Sequence, residues 1–91
     1  MREIHLTGAK MLDQASTHAY LKRKLALPDY YGENLDALWD CLSTDFSGKK
    51  IIIHKPASIV HHLGAYGESI LKLFQAAAEE NQLIQVVIEP Q

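Results

Sequence analysis

Two aspartates four residues apart, Asp36 and Asp40, are the side chains of this 91-residue sequence best placed to do chemistry. On a helix this spacing puts both carboxylates on one face, with Trp39 beside them. Such a pair can act as general acid and base, or it can present fixed negative charge to a basic partner. Like charges at this spacing destabilise an isolated helix by about 0.2–0.5 kcal/mol. The pair is therefore either an acidic solvated face or part of a contact surface, and local stability does not select it.

Cys41 is a second candidate nucleophile, for which one of the five histidines could serve as base. A reactive thiol needs a nearby cation, and residues 25–48 contain no Lys or Arg, so an inert and partly buried cysteine is the better interpretation. His54 and the adjacent His61 and His62 lack a metal-ligand spacing, because neighbouring histidines on a helix point about 100° apart. We therefore expect no catalytic residue, no metal and no cofactor. A small enzyme built on Cys41 or on the aspartate pair is the least favoured function.

The net charge of −2 conceals an uneven distribution along the chain. Residues 25–48 contain five acids and no base, which gives −5, whereas the other nine bases and six acids give +3. The same segment holds four of the seven aromatic residues, namely Tyr30, Tyr31, Trp39 and Phe46. Acidic and aromatic side chains together are typical of a surface that contacts a basic protein, although one of the two tyrosines is expected in the core. The small overall charge indicates no direct binding of nucleic acid or of a membrane.

The elements that must position these residues follow from periodicity and capping. Residues 2–7 alternate polar and aliphatic side chains, which predicts a strand, and three isoleucines at 51–53 indicate a strand covered on both faces or central in a sheet. Asp13 and Asn34 are suitable N-caps for the first two helices. The resulting order βααβααβ predicts an α/β fold with three parallel strands, right-handed crossovers and flanking helices. The predicted strands are 2–7, 49–53 and 83–89, and the predicted helices are 13–26, 34–43, 57–63 and 68–81. Gly64 and Gly67 are expected to break the helical structure between the third and fourth helices.

The length of the chain is that of a single domain, which we expect to span residues 1–91. One cysteine cannot form an internal disulfide, which argues against a disulfide-stapled secreted protein and favours the cytoplasm. The N-terminal residues contain no apolar signal core, and the longest aliphatic runs are too short to span a bilayer.

Residues 25–42, LALPDYYGENLDALWDCL, resemble the barstar family of intracellular inhibitors of the ribonuclease barnase. A weaker match covers residues 68–74 and the last predicted strand, so the resemblance extends over the chain with a diverged middle. It implies a three-stranded parallel sheet with flanking helices and no enzymatic activity. It also implies a basic, secreted-type ribonuclease as the 1:1 partner, with a loop and the second helix filling the active site and carboxylates in place of substrate phosphates.

The resemblance assigns the contact residues position by position, with Asp40 as the central phosphate mimic. Two family contact residues are replaced: Ala76 stands where the family has a glutamate, and Asp45 where it has a tryptophan. Gln82 lies near the place of a family cysteine. These departures favour a related but different nuclease or a weaker complex with barnase. An acidic module for another basic partner or a non-barnase toxin is the alternative. The predicted partner-binding residues are Tyr30, Gly32, Asn34, Leu35, Asp36, Trp39, Asp40, Ser43, Thr44 and Asp45.

Overall fold

The computed structural model describes residues 2–90, and its elements follow the predicted order apart from one additional short 3-10 helix, Gly8–Lys10. None of the helices in this part of the chain has both the length and the apolar character needed to cross a membrane. The strands are β1 (Arg2–Thr7), β2 (Lys49–His54) and β3 (Ile84–Ile88), and the helices are α1 (Gln14–Lys24), α2 (Leu35–Ser43), α3 (Pro56–Leu63) and α4 (Ala65–Glu80).

The three strands form one parallel sheet in the order β1-β2-β3, which confirms the predicted α/β architecture. Strand β2 is central, as the isoleucine run indicated. Ile51 and Ile53 are fully buried in the main core, whereas Ile52 points to the other face and is 8% exposed. On that second face His5 and Val87 flank Ile52 in register and are exposed, so no helix of residues 2–90 covers the face there. The central position of β2, rather than cover on both faces, therefore explains the three isoleucines.

Side-chain caps fix the starts of the first two helices where the sequence placed them. Asp13 caps α1 through a capping box, in which its carboxylate accepts a hydrogen bond from the backbone N–H of Ser16 (2.7 Å) while Ser16 Oγ accepts from the backbone N–H of Asp13 (3.2 Å). Asn34 caps α2, and its Oδ1 accepts from the backbone N–H of Ala37 (2.8 Å). These bonds satisfy N–H groups that a helix leaves without partners in its first turn.

The last helix begins three residues earlier than the sequence pattern predicted. Gly64 ends α3 with φ of 60°, a left-handed conformation that glycine adopts without steric cost, and α4 starts at Ala65. Gly67, which was predicted to interrupt the helical structure, lies inside α4. A Cβ at this position would lie only 2.5 Å from the carbonyl oxygen of Ile59. This glycine therefore permits close packing of α3 on α4 rather than ending a helix.

Candidate functional site

The loop between α1 and α2 contains two left-handed residues and a backbone hydrogen bond. We call residues 26–34 the contact loop. Two non-glycine residues near its ends, Ala26 and Glu33, adopt left-handed backbone angles with φ of 52° and 55°. Between them the backbone N–H of Tyr31 donates to the carbonyl of Pro28 (2.9 Å). Such strained angles persist only where surrounding contacts enforce them, and they are concentrated at binding and active sites.

Tyr30 and Tyr31 point in opposite directions from the contact loop. Tyr31 is 5% exposed, which confirms that one tyrosine of the pair belongs to the core, and Tyr30 is 88% exposed. A tyrosine whose ring lies almost wholly in solvent contributes little to the stability of the free protein. Its aromatic face and hydroxyl are instead available to a partner.

A buried histidine ties the contact loop to two helices. His18 of α1 is 1% exposed, and both ring nitrogens hydrogen bond to tyrosine hydroxyls, Nδ1 to Tyr31 and Nε2 to Tyr66, each at 2.6 Å. Burial lowers the pKa of His18 below its usual value, while the nearby Glu33 carboxylate opposes that shift. Burial also raises the pKa of the Tyr31 hydroxyl. The cluster therefore holds a neutral imidazole and two neutral phenols between α1, the contact loop and α4.

Helix α2 has a buried apolar face and an exposed acidic face. Leu38 and Leu42 are buried in the main core, and Trp39 is half-buried against it. Asp36 and Asp40 lie on the exposed side. The core contacts fix the helix, so a rigid element carries the two carboxylates. Trp39 directly precedes Asp40 in the chain.

The five acids of residues 25–48 differ in how their charge is compensated. Within residues 2–90, Asp29, Glu33, Asp36 and Asp40 form no salt bridge. Asp45, in contrast, forms a salt bridge with Lys49, whose side chain is 5% exposed.

Asp45 also accepts hydrogen bonds within its own turn. Its Oδ1 accepts hydrogen bonds from the backbone N–H and the hydroxyl of Ser47, at 2.7 and 2.6 Å. Burial raises the pKa of Asp45, but the hydrogen bonds from Lys49 and Ser47 outweigh it and leave the pKa below the usual value. Asp45 therefore stabilises the turn after α2, and its charge is largely neutralised within the chain.

A cavity of about 380 Å³ separates the contact loop from the C-terminal half of α2. Tyr30 lies on one side of it and Asp40 and Thr44 on the other. The Thr44 hydroxyl donates to the carbonyl of Asp40 (2.5 Å), which fixes the last turn of the helix beside the opening. The Asp40 carboxylate and the Tyr30 ring are groups that can hold a cationic side chain with an apolar stem, although Arg2 and Lys49 also line the cavity. The lining residues are Arg2, Leu25, Ala26, Leu27, Pro28, Tyr30, Asp40, Cys41, Thr44, Asp45, Ser47 and Lys49.

The chemistry around Cys41 is that of an unreactive thiol. Cys41 is half-buried, and its pKa is raised first by burial and then by the carboxylates of Asp40 and Asp45. A nucleophilic cysteine requires the opposite shift. Among residues 2–90, no three His, Cys, Asp or Glu side chains lie close enough together to hold a metal ion.

The structure brings the predicted partner-binding residues onto the contact loop, α2 and the turn after α2. Phe46, which the sequence placed in the acidic and aromatic segment without assigning it a role, is 86% exposed beside this surface. His18 lies within the predicted helix 13–26, but nothing in the sequence indicates its two tyrosine partners. The exposed site residues are Tyr30, Gly32, Asn34, Asp36, Asp40 and Thr44, and the half-buried ones are Leu35, Trp39, Ser43 and Asp45.

The fold and this surface define a class of protein: a small α/β domain that presents a rigid acidic and aromatic face on a loop and a helix. The chain belongs to the barstar family. The family model, described as Barstar (barnase inhibitor), matches residues 1–89.

A curated relative supports the same assignment. The chain is 40% identical over 81 residues to the Bacillus subtilis (strain 168) protein named "Putative ribonuclease inhibitor YrdF". The match covers 88% of this chain and 89% of the relative, so the similarity extends over nearly the full length of both proteins.

Proposed function

We propose that this protein inhibits a barnase-like basic ribonuclease in the cytoplasm by binding it 1:1 and filling its active site. Membership of the barstar family and similarity to a protein named as a ribonuclease inhibitor support the inhibitory role and a ribonuclease as partner. Members of this family are inhibitors rather than enzymes, which agrees with the unactivated Cys41. The observation that carries the proposal is the acidic face of α2, where Asp36 and Asp40 are exposed and form no salt bridge within residues 2–90.

Electrostatics supports the choice of a basic partner. Two carboxylates on one helix face repel each other, and Asp40 lies too far from the helix N-terminus to be stabilised by the helix dipole. A partner that supplies Arg, Lys or His to both carboxylates relieves this repulsion and forms charge-assisted hydrogen bonds. A ribonuclease gathers such cations around the phosphate it cleaves, so a carboxylate there can replace a phosphate oxygen without being cleaved.

Preorganisation supports insertion of the contact loop and α2 as one unit. Asn34 caps the helix and also donates through Nδ2 to the carbonyl of Gly32 (3.2 Å), which joins the loop to the helix. The buried Tyr31 fixes the loop from inside. Because these groups are already ordered in the free protein, little conformational entropy is lost on binding.

Binding kinetics with purified barnase test this proposal. Asp40→Ala should weaken binding most, by about 3 kcal/mol or roughly a hundredfold in Kd, because two or more charge-assisted hydrogen bonds are lost. Asp36→Ala and Tyr30→Ala should follow with smaller effects. Association of the unmodified protein should slow as salt is raised, since opposite charges steer the encounter.

Glu68→Ala is the matched control, because Glu68 is an exposed acid in the first turn of α4, at the helix end opposite Asn81 and the turn that Asn81 contacts. If Glu68→Ala weakens binding as much as Asp40→Ala, only net charge matters and the phosphate-mimic role is wrong. If Asp40→Ala unfolds the domain, the role of Asp40 is structural. Failure of the unmodified protein to bind barnase or any other basic ribonuclease of that type refutes the barnase-like target.

A different basic partner is the second candidate, and the edge of the surface favours it. Ala76 is exposed and uncharged where the family has a contact glutamate. Asp45, at the place of a contact tryptophan, uses its carboxylate for Lys49 and Ser47. A general adaptor would bind a basic protein without blocking RNA cleavage, which distinguishes it from an inhibitor.

A further inference from the structure

Among residues 2–90, Phe46 is the most exposed large apolar side chain outside the contact loop. It is 86% exposed, against 60% for Leu12, 43% for Leu83 and 39% for Val87. A phenyl ring in solvent contributes almost nothing to folding, and its burial elsewhere would be strongly favourable. Single exposed apolar residues are common on protein surfaces, so exposure alone assigns no role to Phe46.

The turn that carries Phe46 is fixed on both sides of it. On the N-terminal side, the Asn81 side chain of the segment after α4 donates from Nδ2 to the carbonyls of Leu42 (2.9 Å) and Asp45 (2.8 Å). On the C-terminal side, the Asp45 carboxylate accepts from the backbone N–H and hydroxyl of Ser47 and pairs with the buried Lys49. An aromatic ring on a rigid turn is a preorganised anchor, because the backbone order that binding requires already exists.

The turn is continuous with the acidic surface. Asp45 and Ser47, the two chain neighbours of Phe46, line the same 380 Å³ cavity as Tyr30 and Asp40. Phe46 lies between these two lining residues in the chain, and Tyr30, which also lines the cavity, is 88% exposed. Two exposed aromatic residues next to an acidic centre match the usual composition of an energetic hot spot, in which aromatic anchors surround a desolvated charged pair.

We propose that Phe46 is an apolar anchor that fills a shallow apolar depression of the ribonuclease beside its basic cleft. This inference rests on the proposed function, since it extends the surface centred on Asp40 to one further residue. The charge complementarity of that surface identifies the occupant as the same basic partner. The exposed negative charge of the surface speeds association through long-range attraction, whereas a buried phenyl ring acts mainly on the dissociation rate.

The test compares Phe46→Ala with Leu12→Ala in binding to purified barnase at low and high salt. Leu12→Ala is the matched control, because it truncates another exposed apolar side chain away from the surface. Phe46→Ala should raise Kd by roughly tenfold or more, chiefly through faster dissociation, and by the same factor at both salt concentrations. Leu12→Ala should leave Kd unchanged, and Phe46→Leu should recover part of the loss.

The outcomes separate this inference from the proposed function. If Phe46→Ala binds like Leu12→Ala while Asp40→Ala binds weakly, the anchor is wrong and the inhibitor stands. If the Phe46→Ala effect disappears at high salt, an electrostatic change of the turn caused it, and the anchor is again wrong. If the unmodified protein binds neither barnase nor another basic ribonuclease of that type, the proposed function fails and the anchor fails with it. Thermal unfolding of each variant shows that the fold is retained.

Discussion

Removal of the Tyr31 hydroxyl should destabilise the protein, because it leaves one nitrogen of a buried imidazole without a partner. The hydroxyl lies 2.6 Å from Nδ1 of His18, and the two residues are 5% and 1% exposed, so bulk water cannot replace it. An unsatisfied buried polar group costs about 1–3 kcal/mol. At about 4–8 °C per kcal/mol for a domain of this size, Tyr31→Phe should lower Tm by roughly 4–24 °C. Tyr30→Phe is the matched control and should leave Tm unchanged.

The pH dependence of stability tests the state of the same histidine. Burial lowers the pKa of His18 below 6.5, so the unfolded chain binds a proton more readily than the folded protein. Above that value both states are neutral and the group contributes nothing. As pH falls below it, the folded protein loses stability by up to about 1.4 kcal/mol for each unit by which the pKa is lowered. In His18→Gln this loss is absent.

Urea unfolding of the unmodified protein and of His18→Gln from about pH 7 to about pH 5 measures the difference. The stability advantage of the unmodified protein should narrow as the solution becomes more acidic, since other titrating groups affect both chains alike. A constant difference would show that His18 is not held neutral by burial. Equal stability of Tyr31→Phe and Tyr30→Phe would show that the hydrogen bond to His18 contributes nothing, and either result would refute this account of the cluster.

Two further predictions concern the packing that supports the surface. Gly67→Ala should destabilise the protein by about 1–3 kcal/mol in thermal unfolding, because the new Cβ would lie 2.5 Å from the Ile59 carbonyl oxygen. This clash should outweigh the better helix propensity of alanine. A more stable variant would contradict the close packing of α3 on α4. Lys49→Met should cost about 1–3 kcal/mol at neutral pH by removing the cation bound to Asp45. Since the pKa of Asp45 is held below 3.8, the stability that the ion pair adds is present above that pH and is lost as pH falls through the lowered pKa. The free energies of unfolding of Lys49→Met and the unmodified protein should therefore converge in acid. A difference in urea unfolding that does not change with pH would contradict a stabilising ion pair between Lys49 and Asp45.

The elements of this fold could be predicted from sequence where a local signal specifies them. The alternation in residues 2–7 predicted β1, and Asn34 predicted the start of α2, because strand faces and N-caps depend on neighbours in the chain. Gly67 misled the prediction of α4, since its lack of a side chain serves packing against Ile59 and not a turn. Propensity describes the helix itself and carries no information about what packs on it.

The features of the site also divide into those that local sequence predicts and those that depend on tertiary contacts. The spacing of Asp36 and Asp40 predicted their common exposed face, and the structure agrees. The neutralisation of Asp45 depends on the position of Lys49, and the rigidity around Phe46 depends on Asn81, which lies 36 residues beyond Asp45. Tertiary contacts of this kind have no signature in local sequence, so the charge of residues 25–48 overstates the charge available to a partner.

Titration of barnase with this protein in an RNA cleavage assay is the most direct test of the central claim, that Asp40 on α2 replaces a substrate phosphate in a ribonuclease active site. Cleavage by a fixed amount of barnase should fall linearly to zero at one equivalent of the unmodified protein. Asp40→Ala should require a large excess, and Glu68→Ala should match the unmodified protein. Binding without loss of cleavage, or equal inhibition by Asp40→Ala, would contradict the account.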